Sequence, residues 1–156
     1  MVKLRILQIG RDKHRWVSES CDHYLKLLGR YAKVELRELP DVKHAASLPP
    51  DQLKTAQAKL ILDQIDRGYL FALCDRGREY DSKEFAQQLV KQQSAGASQF
   101  TFVIGGAFGL ADSVIQKADQ SLSLSRLTFS HQLVRPVLLE QLYRAFSIIA
   151  GTAYHK

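Results

Sequence analysis

Cysteine is scarce. Cys21 and Cys74 are the only two in 156 residues, which excludes a disulfide scaffold, and no CxxC or Cys/His spacing surrounds them that would hold zinc. The sequence therefore predicts free thiols in a reducing, cytoplasmic setting. Long apolar runs are missing as well. Nothing approaches the 18 or more residues of a membrane span, and the opening Met-Val-Lys-Leu-Arg-Ile is interrupted by charge before a signal-peptide core can develop, so neither export nor membrane insertion is expected. Acidic residues are in deficit, 16 against 22 lysines and arginines, leaving a formal +6 at pH 7. Polyanions are the partners that this balance favours.

What is present suits one compact domain spanning residues 1–156. A hydrophobic share of 46% and a charged share of 24% are near the globular norm and suffice for one packed core at this length, against a disordered or two-domain chain. No repeat, low-complexity tract or linker is visible.

Periodicity organises the chain into alternating strands and helices. Apolar and polar residues mostly alternate from Val2 to Ile9, a strand ended by Gly10. Val17, Cys21, Tyr24, Leu25 and Leu28 form the stripe of an amphipathic helix stopped by Gly29. A second strand is expected at Ala32–Leu39. The polar stretch from Pro40 to Pro50 is the longest expected loop. Leu53, Ala56, Leu60, Ile61 and Ile65 share one face of a helix closed by Gly68. Tyr69–Cys74 and Phe100–Ile104 are near-continuous apolar runs, the pattern of strands buried on both faces. Asp81 followed by Glu84 forms a capping-box signature that opens a helix through Phe85, Leu89 and Val90. A short helix near Ala111–Lys117, a strand around Ser121–Phe129 and a helix from about Leu133 to Ala150 complete the reading. Pro136 fits that last helix only in its first turn. The fold class is α/β: a mostly parallel sheet flanked by helices.

Three segments carry candidate chemistry. Gly105-Gly106-Ala107-Phe108-Gly109-Leu110 follows a buried strand, where glycines let backbone approach a ligand closely; the alternative is a tight strand-to-helix connection. Its spacing matches neither GxGxxG nor a P-loop, which removes support for nicotinamide cofactors and nucleoside triphosphates. In Ser121–Phe129 hydroxyls alternate with apolar side chains. This is an ordinary strand with one polar face, or a loop whose backbone groups read an adenine edge between Leu124, Leu127 and Phe129. Residues 126–156 hold Arg126, Arg135, Arg144 and Lys156 against Glu140 alone. Such a tail, with Tyr154 and His155, can bind phosphates and stack on a base, or can simply fray.

Among the histidines, His14, His23 and His44 read as solvated. His131 is placed to be an acid/base group, a phosphate contact or a helix-start residue. Arg144 can pair with Glu140 at i,i+4 spacing, and Arg135 has a structural ion pair as its alternative role. The second face of the last helix, with Leu139, Tyr143 and Ile148, fits either a dimer contact or a thicker monomer core. No Ser-His-Asp, Cys-His or HExxH grouping appears, and no metal site is expected.

Taken together, VIGGAFGL, SLSxxTFSHQLVR and the terminus LLEQLYRAFSIIAGTAYHK resemble the ribosomal RNA large subunit methyltransferase H family of the SPOUT superfamily. The motifs cover roughly residues 70–156, and chain length and the basic opening strand also fit. The resemblance implies a SPOUT-type domain with a C-terminal trefoil knot. It implies S-adenosyl-L-methionine as cofactor, bound by Leu73, Gly105, Leu124, Ser125, Arg126, Leu127, Thr128 and Phe129. It also implies methylation at N3 of a pseudouridine in the helix 69 loop of 23S rRNA within the 70S ribosome, by a homodimer, with His131, Arg135, Tyr154 and His155 acting on the base. Many relatives carry Pro where Ala107 stands. Two other readings stay open: a SPOUT methyltransferase acting on another RNA such as tRNA, and a non-catalytic ribosome-associated RNA-binding factor.

Overall fold

Five parallel strands form the centre of the molecule, in the order β2-β1-β4-β3-β5. The structure is a computed structural model and describes residues 1–155; Lys156, counted in the basic tail above, lies outside the described residues. In chain order the elements are β1 (Val2–Ile9), α1 (Arg15–Leu28), β2 (Ala32–Leu39), a single 3₁₀ turn (Ala45–Ser47), α2 (Pro50–Leu62), β3 (Tyr69–Arg78), α3 (Ser82–Ser94), β4 (Gln99–Ile104), α4 (Asp112–Lys117), β5 (Gln120–Leu122) and α5 (His131–Ile149).

The strands alternate their side chains between two cores. Val2, Leu4 and Ile6 of β1 face α1, α3 and α5, together with Phe71, Phe100 and Phe102. Leu7 and Ile9 face α2 and α4, through Ala58, Ile61 and Val114. Helices thus cover both faces, as near-continuous apolar strands require. Phe71 and Phe102 stack across β3 and β4 with ring centroids 4.8 Å apart. The Asp81/Glu84 capping box forms in both directions, with Glu84 N donating to Asp81 Oδ1 at 2.7 Å and Asp81 N to Glu84 Oε2 at 2.9 Å.

Four expectations change. The strand expected over Ser121–Phe129 ends at Leu122, and residues 123–130 are loop. The register explains the stop: Leu122 pairs with both Leu73 and Arg78 across an irregularity, and Ser123 N donates to Arg78 O at 3.0 Å, turning the chain away. Gly77 permits this crossing, since a Cβ there would lie 2.7 Å from Leu122 N. The strand expected to end at Cys74 continues to Arg78, and α2 closes at Leu62, so Ile65 packs from the following turn. The last helix begins two residues early, because the Ser130 hydroxyl caps it by accepting from Leu133 N at 3.2 Å. Pro136 therefore sits in the second turn of α5, where it removes the N–H that would have bonded the Gln132 carbonyl.

The second apolar face of α5 is covered within the chain. Leu139 and Tyr143 are buried in the core and Ile148 packs against it, which is the thicker-core alternative. No helix among the described residues is long and apolar enough to cross a membrane.

Candidate functional site

At the carboxyl ends of β3, β4 and β5 two segments converge. The turn after β4, residues 105–110, and the loop after β5, residues 123–130, form walls of one cavity of about 760 Å³. Gly105 makes the first wall possible: a Cβ there would stand 2.5 Å from the Gly109 carbonyl carbon and 2.9 Å from Leu110 N, so the turn closes on itself only over glycine. The second wall is held by its own hydroxyls. Ser123 Oγ donates to Ser125 O at 2.9 Å, and Ser125 Oγ accepts from Leu127 N at 3.0 Å. Leu73, Ile104, Leu124, Leu127 and Phe129 give the cavity apolar surface.

Of the residues singled out in the sequence, Leu73, Gly105, Leu124, Ser125, Leu127, Thr128, Phe129 and His131 all line this cavity. Arg126 belongs to the same loop but is exposed and outside the lining. Arg135, Tyr154 and His155 are not among the lining residues either.

His131 is the first residue of α5, at the cavity edge next to Ser130 and Val134. Burial, and then the positive charges of Arg135 and Lys13, push its imidazole below the usual 6.5, with Asp41 opposing. Positive charge is doubly unwelcome at a helix N-terminus, so the ring is neutral at pH 7 and able to accept a proton.

Arg135, one turn further on, points the other way. Its side chain is 1% exposed, its Nη1 pairs with Asp12 Oδ1, and Nη2 donates to Ile9 O at 2.8 Å. The guanidinium is thus spent on tying α5 to the turn after β1, the structural alternative named above. Under His131 this leaves a polar layer in which Gln8 Oε1, Gln132 Oε1 and Arg135 Nε are buried without a partner among the described residues.

In the tail, Tyr154 packs on the far half of α5. Tyr154 donates to Glu140 Oε1 at 3.1 Å, its ring lies 4.6 Å from that of Tyr143, and the Arg144 guanidinium carbon sits 4.8 Å above it. Arg144 Nη2 pairs with the same Glu140 oxygen at 2.6 Å. Burial, the hydrogen bond with Tyr24 and the Glu140 charge push the Tyr154 phenol up to about 12, so it is a donor and not a base near neutrality. Glu140 lies nine residues from His131, or about 13 Å along the helix. Within one chain the tail and the cavity are separate.

Sequence reasoning missed Lys54 of α2 and Asp112 of α4, both of which line the cavity. No local pattern marks either one; only the packing of α2 and α4 on the same sheet face brings them there. His14, His23 and His44 are exposed, as expected.

Comparison with known proteins gives one consistent result. A family model described as "Predicted SPOUT methyltransferase" matches residues 2–155. The chain is 43% identical to a protein named Ribosomal RNA large subunit methyltransferase H from Limosilactobacillus reuteri, over 99% of this chain and 100% of that one. It is 42% identical to a protein of the same name from Bacillus cereus, with the same coverage. Among solved structures, a probable methyltransferase from Bordetella pertussis aligns with a TM-score of 0.59 at 16% identity, covering 93% of this chain and 95% of that one. A probable methylase family protein from Haemophilus influenzae aligns with a TM-score of 0.58 at 16% identity, covering 98% and 70%. These two likenesses concern the fold.

Proposed function

The chain belongs to the ribosomal RNA large subunit methyltransferase H family of SPOUT methyltransferases, and from that premise we propose that it methylates large-subunit ribosomal RNA with S-adenosyl-L-methionine as donor. The specific reaction proposed is transfer to N3 of a pseudouridine in the helix 69 loop of 23S rRNA, within the assembled 70S ribosome in the cytoplasm. The observation that carries this reading is the convergence of the Gly105 turn and the 123–130 loop on one cavity. Its about 760 Å³ is within the range of cofactor sites. Apolar walls suit an adenine, and the glycine turn whose backbone a Cβ at Gly105 would block leaves main chain close beside them, so the residues present fit the donor. Leu73, Gly105, Leu124, Ser125, Leu127, Thr128 and Phe129 would hold it, with Arg126 at the loop's outer side.

When bound, the donor supplies a methyl group activated by its sulfonium. The chain's own work is alignment and proton transfer. Fixing acceptor and methyl in line can supply several kcal/mol of the barrier, up to about 7–11 in the best intramolecular cases. Pseudouridine, joined through carbon, keeps both N1–H and N3–H, an edge that uridine lacks. The neutral imidazole of His131 accepts the N3 proton as the new bond forms. Arg135 acts through position: bound to Asp12 and Ile9 O, it fixes the first turn of α5, and with it His131, against the end of β1.

Two further parts of this reading concern the whole chain. Residues 1–156 form a single SPOUT domain whose C-terminal part is threaded as a trefoil knot, supported by the close passage of Leu122 over Gly77. The protein acts as a homodimer, in which Tyr154 and His155 serve the cavity of the other chain. The support is the distance along α5 that separates them from their own cavity.

The test is mass spectrometry of rRNA from cells with and without this protein, followed by incubation of the unmodified material as 70S ribosomes, naked 23S rRNA and tRNA. A single added methyl on a helix 69 pseudouridine, on ribosomes only, is expected. Methylation of tRNA instead would establish a different RNA substrate, and none anywhere a non-catalytic binding factor.

A further inference from the structure

Arg11, Lys13 and Arg15 fall within five residues, the densest run of positive charge in the chain, and Trp16, its only tryptophan, follows at once. Asp12 is the one acid among them. It is turned inward onto Arg135 with its side chain 7% exposed, and its charge is neutralised there. Arg15 pairs with Glu19, whereas Arg11 and Lys13 are exposed and have no ion-pair partner among the described residues. Trp16 is 50% exposed, off the stripe through which Val17, Cys21 and Leu28 enter the core. Its ring lies nearly parallel to that of exposed His14, at 22° with centroids 6.2 Å apart, so the pair offers a flat aromatic face. Helix stability does not explain this choice. A helix start favours a Ser or Asp cap and acids in the first turn, yet His14 makes no capping bond, Arg15 opens α1 and its first turn holds no acid.

Gln8 of β1 pairs with Ile104 of β4, so the chain leaves β1 beside the point where it enters the Gly105 turn. Lys13 stands close enough to His131 for its charge to depress that imidazole. The cationic run is thus continuous with the edge of the cavity that His131 borders. A partner complementary to it carries closely spaced negative charges and flat, unstacked rings. Single-stranded nucleic acid has both, whereas a duplex hides the faces of its bases. We infer that Arg11, Lys13 and the His14/Trp16 pair dock single-stranded RNA flanking the methylated base, phosphates on the two cations and a neighbouring base on the indole, an inference that rests on the rRNA reading above. Phosphate contacts then fix the position of the strand, and stacking selects a loop over a helix.

Because Trp16 is the only tryptophan, the intrinsic emission of the full chain reads this surface alone. Single-stranded oligouridylate at low salt is expected to quench it, and a blunt RNA duplex of equal charge to leave it unchanged. In pelleting assays with 70S ribosomes, Trp16→Ser is expected to weaken binding roughly 5- to 100-fold while Trp16→Phe retains most of it. Arg11→Met and Lys13→Met should each flatten the slope of log affinity against log salt by about 0.7. Lys91→Met, in the last turn of α3 at the opposite end of the sheet, controls for the loss of one positive charge. Affinity for S-adenosyl-L-homocysteine should be the same in all of these variants. Emission indifferent to oligouridylate, or ribosome binding unchanged in Trp16→Ser, overturns the inference. So does an equal effect of Lys91→Met, which marks bulk charge alone. A change of oligomeric state in Trp16→Ser, read by sedimentation velocity, overturns it in favour of a contact between copies of the chain. If wild type neither binds nor methylates ribosomes, the rRNA reading itself fails, and this surface falls with it.

Discussion

The two ends of α5 use the same chemistry to opposite purpose. At the N-terminal end an arginine, Arg135, is 1% exposed and locked against Asp12, itself 7% exposed. At the other end Arg144 pairs with Glu140 while 25% exposed, and also covers an aromatic ring, Tyr154. The first pair is enclosed on all sides and holds the helix to β1. The second is a surface cluster that holds a tail. A sequence shows both as an arginine in an amphipathic helix; only burial tells which is an anchor. A residue beside a cavity can thus matter for catalysis without touching any ligand.

This contrast can be broken by substitution. Arg135→Met should have the largest effect on stability, because it leaves the Asp12 carboxylate enclosed without its partner, a loss of about 3–5 kcal/mol measurable by urea denaturation. Asp12→Asn/Arg135→Met together should recover part of that loss, and a full double-mutant cycle should report strong coupling. His131→Asn should leave stability nearly untouched but lower kcat on ribosomes by about 10²–10⁴-fold, with little change in KM for the donor.

The proton-accepting role also has a pH signature. Because folding lowers the His131 value below 6.5, the neutral base persists to lower pH than free imidazole would allow. The acid limb of kcat should fall below pH 6.5 and disappear in His131→Asn. The same sign holds for stability: the unfolded chain takes up this proton more readily, so the folded state loses ground as pH drops through 6.5 and below, and none of this term operates above it. At the far end of α5 the effects on folding are smallest. Arg144→Met should cost about 0–1 kcal/mol and Tyr154→Phe about 1 kcal/mol or less. If these tail variants nonetheless lose turnover, mixing each with a His131→Asn chain should restore activity in the hybrid dimer; no restoration would place the tail's role within its own chain.

Much of the fold was legible because its signals are local. The buried runs Tyr69–Cys74 and Phe100–Ile104, the Asp81/Glu84 capping box and Gly29 closing α1 each report on a few neighbouring residues. What the sequence hid depends on contacts between distant segments. The alternating pattern of Ser121–Phe129 reads as a strand, yet Leu122 is its last paired residue, because the crossing over Gly77 ends the ladder. Pro136 argues against an earlier helix start, but Ser130 supplies a cap and the helix tolerates the missing bond in its second turn. Arg135 and Asp12 are 123 residues apart, Lys54 and Asp112 58, and no periodicity links either pair.

The most direct test of the account is a crystal structure of the protein with S-adenosyl-L-homocysteine. The ligand should lie between the Gly105 turn and the Leu124–Phe129 loop, its base against Leu124 and Phe129 and its sulfur beside His131. Ligand density on any other surface, with this cavity filled only by solvent, would contradict it.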